Sequence, residues 1–199
     1  MQQEIEAKFL RQDHEIIRKK LQALGAVCEY KTKLMRRTVY DFPDRRLQKE
    51  GAWVRLREEP NNDIELTLKK SSSQQSIHGV FESSITVHSY EAADQFLRAI
   101  GLEAKGEQES KRELWRLGDV EIMLDEWPWV PPFIEIEADS EQSVKHVAEQ
   151  LDLKWENAVF GGVTPVYTDC YDISEEYFVS LELSMKFDDP VPDTLTKLQ

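Results

Sequence analysis

The chain opens on Glu4-Ile5-Glu6-Ala7-Lys8-Phe9 and returns to the same pattern at Phe133-Ile134-Glu135-Ile136-Glu137-Ala138. A β-strand sends successive side chains to opposite faces, so strict alternation of charged and apolar residues fixes which side is wet. Glu4, Glu6 and Lys8 therefore share one face, with Ile5, Ala7 and Phe9 on the other. Glu135 and Glu137 stand in the same way against Ile134 and Ile136. A half-buried sheet with its charges in water accounts for one such strand. Four carboxylates gathered by two of them are also a donor set for a hard divalent cation such as magnesium.

The pattern recurs. Residues 52–58 set Trp53, Arg55 and Arg57 against Val54 and Leu56, and residues 64–69 set Glu65, Thr67 and Lys69 against Ile64, Leu66 and Leu68. Residues 81–87 place Glu82, Ser84 and Thr86 opposite Phe81, Ile85 and Val87. Strands at 111–117 and 120–125 follow, joined at Gly118-Asp119, with Val120, Ile122 and Leu124 opposite Glu121, Met123 and Asp125. A further strand is expected at 38–42. Helical spacing marks 13–24 (Ile16, Ile17, Leu21, Leu24, with Gly25 as the stop), 90–100 (Phe96, Leu97, Ile100) and 140–151. The expectation is an α+β fold of about eight strands, each with an unusually charged face, and helices covering the apolar one.

Composition narrows the function classes. With 25 basic and 38 acidic residues, a net charge of −13 repels nucleic acid and anionic membrane from the surface at large. A polyanion then needs a local basic pocket. Cys28 and Cys170 have no metal or redox spacing, and no histidine pair has ligand spacing, which argues against zinc. His14 and His146 are expected to be solvated in their helices, and Gly161-Gly162 is expected to be a turn rather than a phosphate loop. No apolar run approaches the roughly 20 residues that span a bilayer, and the N-terminus enters a strand without a leader-like apolar region, so the expectation is a soluble, cytoplasmic protein. Residues 71–76 read as a mobile polar loop, and the acidic run from Asp188 to Asp193 as a poorly ordered tail.

If the polar strand faces turn inward, the acids Glu4, Glu6, Glu82, Asp125, Glu135 and Glu137 oppose the bases Lys8, Arg55, Arg57, Lys69 and Arg112. Cations neutralise phosphate oxygens, with arginine favoured for bidentate contact, and carboxylates hold the metal that bridges them. On these residues the chain resembles the CYTH superfamily, or triphosphate tunnel metalloenzymes. Glu4-x-Glu6-x-Lys8 matches that family's ExExK signature, Arg55-x-Arg57 its paired-arginine strand, and Thr67-Leu68-Lys69 the lysine strand that follows. Glu82, Arg112, Leu124-Asp125 and Glu135-Ile136-Glu137 fall in the family's order, over residues 1–172, with 173–199 left as an acidic extension.

The resemblance implies an eight-stranded antiparallel closed tunnel barrel that binds triphosphates with Mg2+ or Mn2+. Lys8, Arg55, Arg57, Lys69 and Arg112 would be phosphate ligands. Glu4, Glu6, Asp125, Glu135 and Glu137 would be metal ligands, and Glu82 would support the metal or orient a base. Glu4, Glu6, Lys8, Lys69 and Arg112 would carry the catalysis. The leading expectation is a metal-dependent triphosphatase acting on tripolyphosphate, ATP or thiamine triphosphate. The alternatives are a class IV adenylate cyclase that makes cyclic AMP and pyrophosphate, and a triphosphate-binding module without turnover.

Three departures from the family pattern stand out. Ser84 replaces a frequent second acid, and Arg36-Arg37 replaces an acid that cyclase-like members carry. Arg37 is left between the tunnel mouth and the surface. Trp127-Pro128-Trp129 replaces a Gly-containing connection and reads either as a stacking surface or as a plug at the barrel end. Tyr167 and Tyr171 either close the tunnel or join the core.

Overall fold

The structure is a computed structural model that describes residues 1–72 and 76–196. Residues 73–75, the middle of the expected 71–76 loop, lie outside the described residues. The strands are β1 (Gln2–Glu4), β2 (Glu6–Phe9), β3 (Val27–Asp41), β4 (Ala52–Glu58), β5 (Ile64–Ser71), β6 (Val80–Val87), β7 (Glu103–Leu117), β8 (Val120–Glu126), β9 (Phe133–Glu137) and β10 (Ala158–Val159). They form one antiparallel sheet in the order β1-β6-β5-β4-β3-β7-β8-β9-β2-β10.

The sheet is a curled half-barrel of ten strands, where eight strands and full closure were expected. Two local events raise the count. The opening strand is interrupted at Ile5, so β1 pairs with β6 while β2 pairs with β9. The two-residue β10 then adds to the outer edge of β2. The two ends of the order therefore approach each other across the break at Ile5, not through one continuous ladder.

Two strands are much longer than their alternation suggests. In β3 the register with β7 shifts between Cys28 and Tyr30 and again between Tyr30 and Lys33, and each shift resets which face a side chain occupies. The polar first half of β7 lies beyond the reach of β8, which pairs only from Lys111 onward. Its free edge is taken by the C-terminal segment. Met185 exchanges backbone hydrogen bonds of 2.8 Å with Glu107 and Glu109, and the Cβ that any residue but glycine would carry at 106 would lie 2.7 Å from the Leu183 carbonyl.

Three helices cover the apolar face. In α1 (His14–Ala23) the Asp13 carboxylate accepts from the amides of Glu15 and Ile16, and Ile17 and Leu21 are buried. After the short α2 (Arg46–Lys49), α3 (Tyr90–Ala99) starts at a Ser89 cap and buries Ala93 and Leu97, while Phe96 and Ile100 of the expected stripe face outward. The third covering helix, α4 (Glu141–Gln150), buries Val144, Val147 and Ala148 against Ile122, Ile134 and Ile136. His14 is buried, with its Nε2 3.0 Å from the Phe133 carbonyl oxygen, contrary to the solvated reading.

The chain end packs closely. The helices α5 (Thr164–Thr168) and α6 (Glu175–Ser180) bring Tyr167, Tyr171, Phe178, Met185 and Leu195 into one cluster with Trp127 and Phe133. Tyr167 and Tyr171 are core residues; their hydroxyls donate to the carbonyls of Pro128 and Trp129. Trp129 Nε1 donates to the Asp189 carbonyl, which ties down the segment read as a loose tail. Among the described residues, no helix is long and apolar enough to cross a membrane.

Candidate active site

Strand register brings the polar alternate residues to one inner wall. Arg37 lies across from Arg57, Arg55 from Thr67, Arg57 from Glu65, and Lys69 from Glu82. On the far side Glu6 and Glu121 both lie across from Glu137, Lys8 from Glu135, and Arg112 from Asp125. Together they surround a cavity of about 540 Å³, lined by eleven of the twelve residues expected at the site. Asp125 is the exception. It is fully buried behind Arg112, which donates to it from Nε at 2.7 Å and from Nη2.

One wall is cationic. Arg37 points into the cavity and is only 7% exposed, which settles its place against the surface. Its guanidinium lies 4.5 Å above the Trp127 ring, its Nη2 donates to Ser110 Oγ, and its Nε has no partner. Arg55 is also buried with a partnerless Nε. Burial, followed by the charge of Arg57, pulls the Arg55 guanidinium down to about 10. The same causes, with Arg55 and Arg112 added, take Arg37 well below its ordinary value. Crowded cations with unused donors are poised for an anion.

The facing wall is acidic and partly cross-linked to lysines. Glu4 Oε1 accepts from Lys69 Nζ at 2.6 Å, while its buried Oε2 has no partner. Lys69 also reaches Glu82 at 3.4 Å, so Glu82 helps to aim it. Lys8 donates to Glu6 at 2.6 Å and to the Gly161 carbonyl at 2.6 Å, and lies 3.3 Å from Glu135. Burial opposes its charge, but Glu135 and Glu6 raise its pKa above the ordinary lysine value. Glu135 also accepts from Arg112 at 2.7 Å; although burial would raise it, Lys8 and Arg112 hold its carboxyl down to about 2. Glu137 is different. Burial, then Glu6 and Glu4, push it up to about 8.

This chemistry fits a hard divalent cation. All the donors are carboxylate oxygens, Glu4 Oε2 is buried without a partner, and burial with the acids Glu6 and Glu4 raises Glu137, a strain that a bound cation would relieve. As the side chains stand, no group of three or more His, Cys, Asp or Glu among the described residues is arranged to hold an ion.

Glu137 yields a pH prediction. An unfolded Glu ionises near 4.5, whereas the folded one holds its proton to about 8. Between those values the folded state binds the extra proton, so stability falls as pH rises, by at most about 1.4 kcal/mol per pH unit. Urea unfolding with chelator present, from pH 5 to 8.5, is expected to show this slope, and Glu137→Gln to flatten it.

The cavity also contains residues that the sequence reading did not assign to it: Glu29, Tyr30, Trp53, Glu59, Glu65 and Glu121 among them. Glu65 and Glu121 were visible in the alternation, on the same faces as Lys69 and Asp125. Glu29 and Tyr30 were hidden by the register shifts of β3. A second cavity of about 510 Å³ adjoins the first and shares Val39, Trp53, Gln108, Gly162 and Val163 with it. Trp127 lines the first cavity under Arg37, while Trp129 belongs to the packed chain end.

The inner wall of the curled antiparallel sheet sets buried cations against a carboxylate cluster. The CYTH domain matches residues 2–159, and the chain belongs to that family. A candidate adenylate cyclase from Vibrio parahaemolyticus has a similar fold, at 18% identity and a TM-score of 0.72, over 84% of this chain and 98% of that one. The PH1012 protein of Pyrococcus horikoshii is similar at 23% identity and a TM-score of 0.65, over 78% and 93%. HpAC1 from Hippeastrum, an adenylyl cyclase candidate described as having a dominant triphosphatase activity, is similar at 16% identity and a TM-score of 0.60, over 93% and 99%. No curated protein matches the chain.

Proposed function

We propose that this chain is a divalent-metal-dependent triphosphatase, with residues 1–172 as the tunnel domain and 173–199 as an acidic extension. One observation carries the reading. Two buried guanidinium donors, Arg37 Nε and Arg55 Nε, and one buried carboxylate oxygen, Glu4 Oε2, lack partners on the walls of one cavity. Each unsatisfied buried group costs stability, so a site that keeps both kinds is built for a ligand that answers both. A metal–triphosphate does so.

Arg37, Arg55, Arg57, Lys69, Lys8 and Arg112 take the phosphate oxygens. The arginines fix orientation through their planar donors, and the lysines contribute compact charge. Glu4, Glu6 and Glu137 would hold Mg2+ or Mn2+, with Glu82 aiming Lys69, and Asp125 and Glu135 holding Arg112 in place. When bound, the metal supplies charge neutralisation on the phosphate oxygens and a more acidic water. The remaining work is positioning and electrostatic stabilisation, which dominate phosphoryl transfer.

The adjoining cavity is the natural place for an organic group carried by the triphosphate, with Trp53 at the boundary. Trp53→Ala is expected to raise KM for thiamine triphosphate or ATP about three- to tenfold, the worth of an aromatic contact. KM for tripolyphosphate, which has no organic group, is expected to stay within about twofold.

Product analysis with Mg2+ or Mn2+ tests the assignment, supplying tripolyphosphate, ATP and thiamine triphosphate separately. Orthophosphate from any of them supports it. Cyclic AMP with pyrophosphate from ATP would replace it with the cyclase, and binding without product would replace it with the binding module.

A further inference from the structure

Within the cation wall stands a carboxylate, Glu65, that the metal-and-phosphate scheme does not use and that bridges two of its arginines. Glu65 lies directly across from Arg57 on the neighbouring strand. Its Oε2 accepts from Arg57 Nη2 at 2.9 Å and from Arg55 Nη2 at 3.4 Å, so one oxygen bridges both guanidiniums. Its Oε1 accepts at 2.9 Å from the hydroxyl of the fully buried Thr67, which lies 2.9 Å from Ser84 Oγ. Both oxygens are thus anchored. Glu59 holds the other side of Arg57.

The surroundings explain why an acid belongs there. Arg37 and Arg57 face each other across the β3–β4 ladder, with Arg55 two residues along, and like charges placed this way repel. An anion on the pair relieves that repulsion while the cavity is without a ligand. A phosphate oxygen would relieve it as well, and would compete for the same Nη2 donors. Unlike Glu4, Glu6 and Glu137, Glu65 makes its contacts entirely within the cation side.

Resting on the triphosphate reading of this cavity, we infer that Glu65 is a built-in counter-anion. It holds Arg55 and Arg57 in the ligand-free protein and yields them to an incoming polyphosphate, which makes it a determinant of affinity for the substrate. Binding then carries the cost of breaking the internal pairs, and the apparent affinity falls by the fraction of molecules in which the arginines are free. A merely structural glutamate would act in the opposite direction, since its loss would loosen the arginines and weaken binding.

The test is calorimetric titration of the full chain and of Glu65→Gln with tripolyphosphate, with and without Mg2+, alongside thermal melts. E65Q is expected to bind tripolyphosphate about tenfold more tightly. Its ligand-free melting temperature is expected to fall and its tripolyphosphate-induced rise to exceed that of the wild type. In turnover, KM is expected to drop without a matching rise in kcat. If E65Q does not fold without the anion, Thr67→Val, which frees one Glu65 oxygen, is expected to tighten binding in the same direction. Wild-type binding with equal or weaker binding by the folded variant overturns the inference alone. Absence of tripolyphosphate binding in both proteins overturns it together with the reading of the site.

Discussion

Glu4→Gln is expected to lower triphosphate turnover by about a thousandfold, comparable to the removal of a principal electrostatic contact in an active site. The substitution preserves shape and removes only charge. Oε2 of Glu4 is buried and partnerless, so the loss falls on the oxygen that would contact metal. Lys69 loses the charge of its 2.6 Å partner but keeps Glu82 at 3.4 Å. Burial raises the Glu4 pKa, Lys69 lowers it, and the balance stays above the ordinary value. A neutral side chain there therefore costs the fold little. Near-wild-type melting, retained metal-free tripolyphosphate binding and lost turnover are the expected combination. Glu6→Gln is expected to behave alike, because Lys8 retains Glu135 and the Gly161 carbonyl. Full activity in either variant removes the carboxylates from the mechanism.

The largest stability effect is expected at Arg112. Its guanidinium is the partner of the fully buried Asp125 and also bonds Glu135. Arg112→Met leaves Asp125 as an uncompensated buried acid, which typically costs about 3–5 kcal/mol. Chemical denaturation at pH 7 reads the loss. Adding Asp125→Asn removes the stranded charge, so the double variant is expected to regain most of the stability while remaining inactive. A double variant as unstable as the single one would show that Arg112 matters for packing and not for charge.

The inner wall was legible because period-two alternation is geometric. Glu6 and Lys8 share β2 and therefore a face, as Arg55 and Arg57 do in β4, and Glu4 reaches the same cavity from β1 across the break at Ile5. What alternation cannot give is the partner across the ladder. Asp125 was grouped with the metal acids because its face was right, but its depth behind Arg112 depends on the β7–β8 register. Glu65 was on the right face too, yet its pairing with Arg57 appears only once β4 and β5 are aligned. The strand break at Ile5 and the bulges of β3 are backbone irregularities without a side-chain signature, so the strand count and the extent of β3 went unread. The chain end looked loose because its acidic composition says nothing about Met185 taking the open edge of β7.

The central claim is that one cavity holds a polyphosphate on its cations and a divalent metal on its acids. Calorimetric titration of the wild-type chain and Glu4→Gln with tripolyphosphate, in chelator and in Mg2+, tests it most directly. The account predicts binding in chelator for both proteins, and a clear gain in affinity with Mg2+ for the wild type that Glu4→Gln loses. Tripolyphosphate binding that Mg2+ leaves unchanged in the wild type, or no binding in either condition, would contradict it.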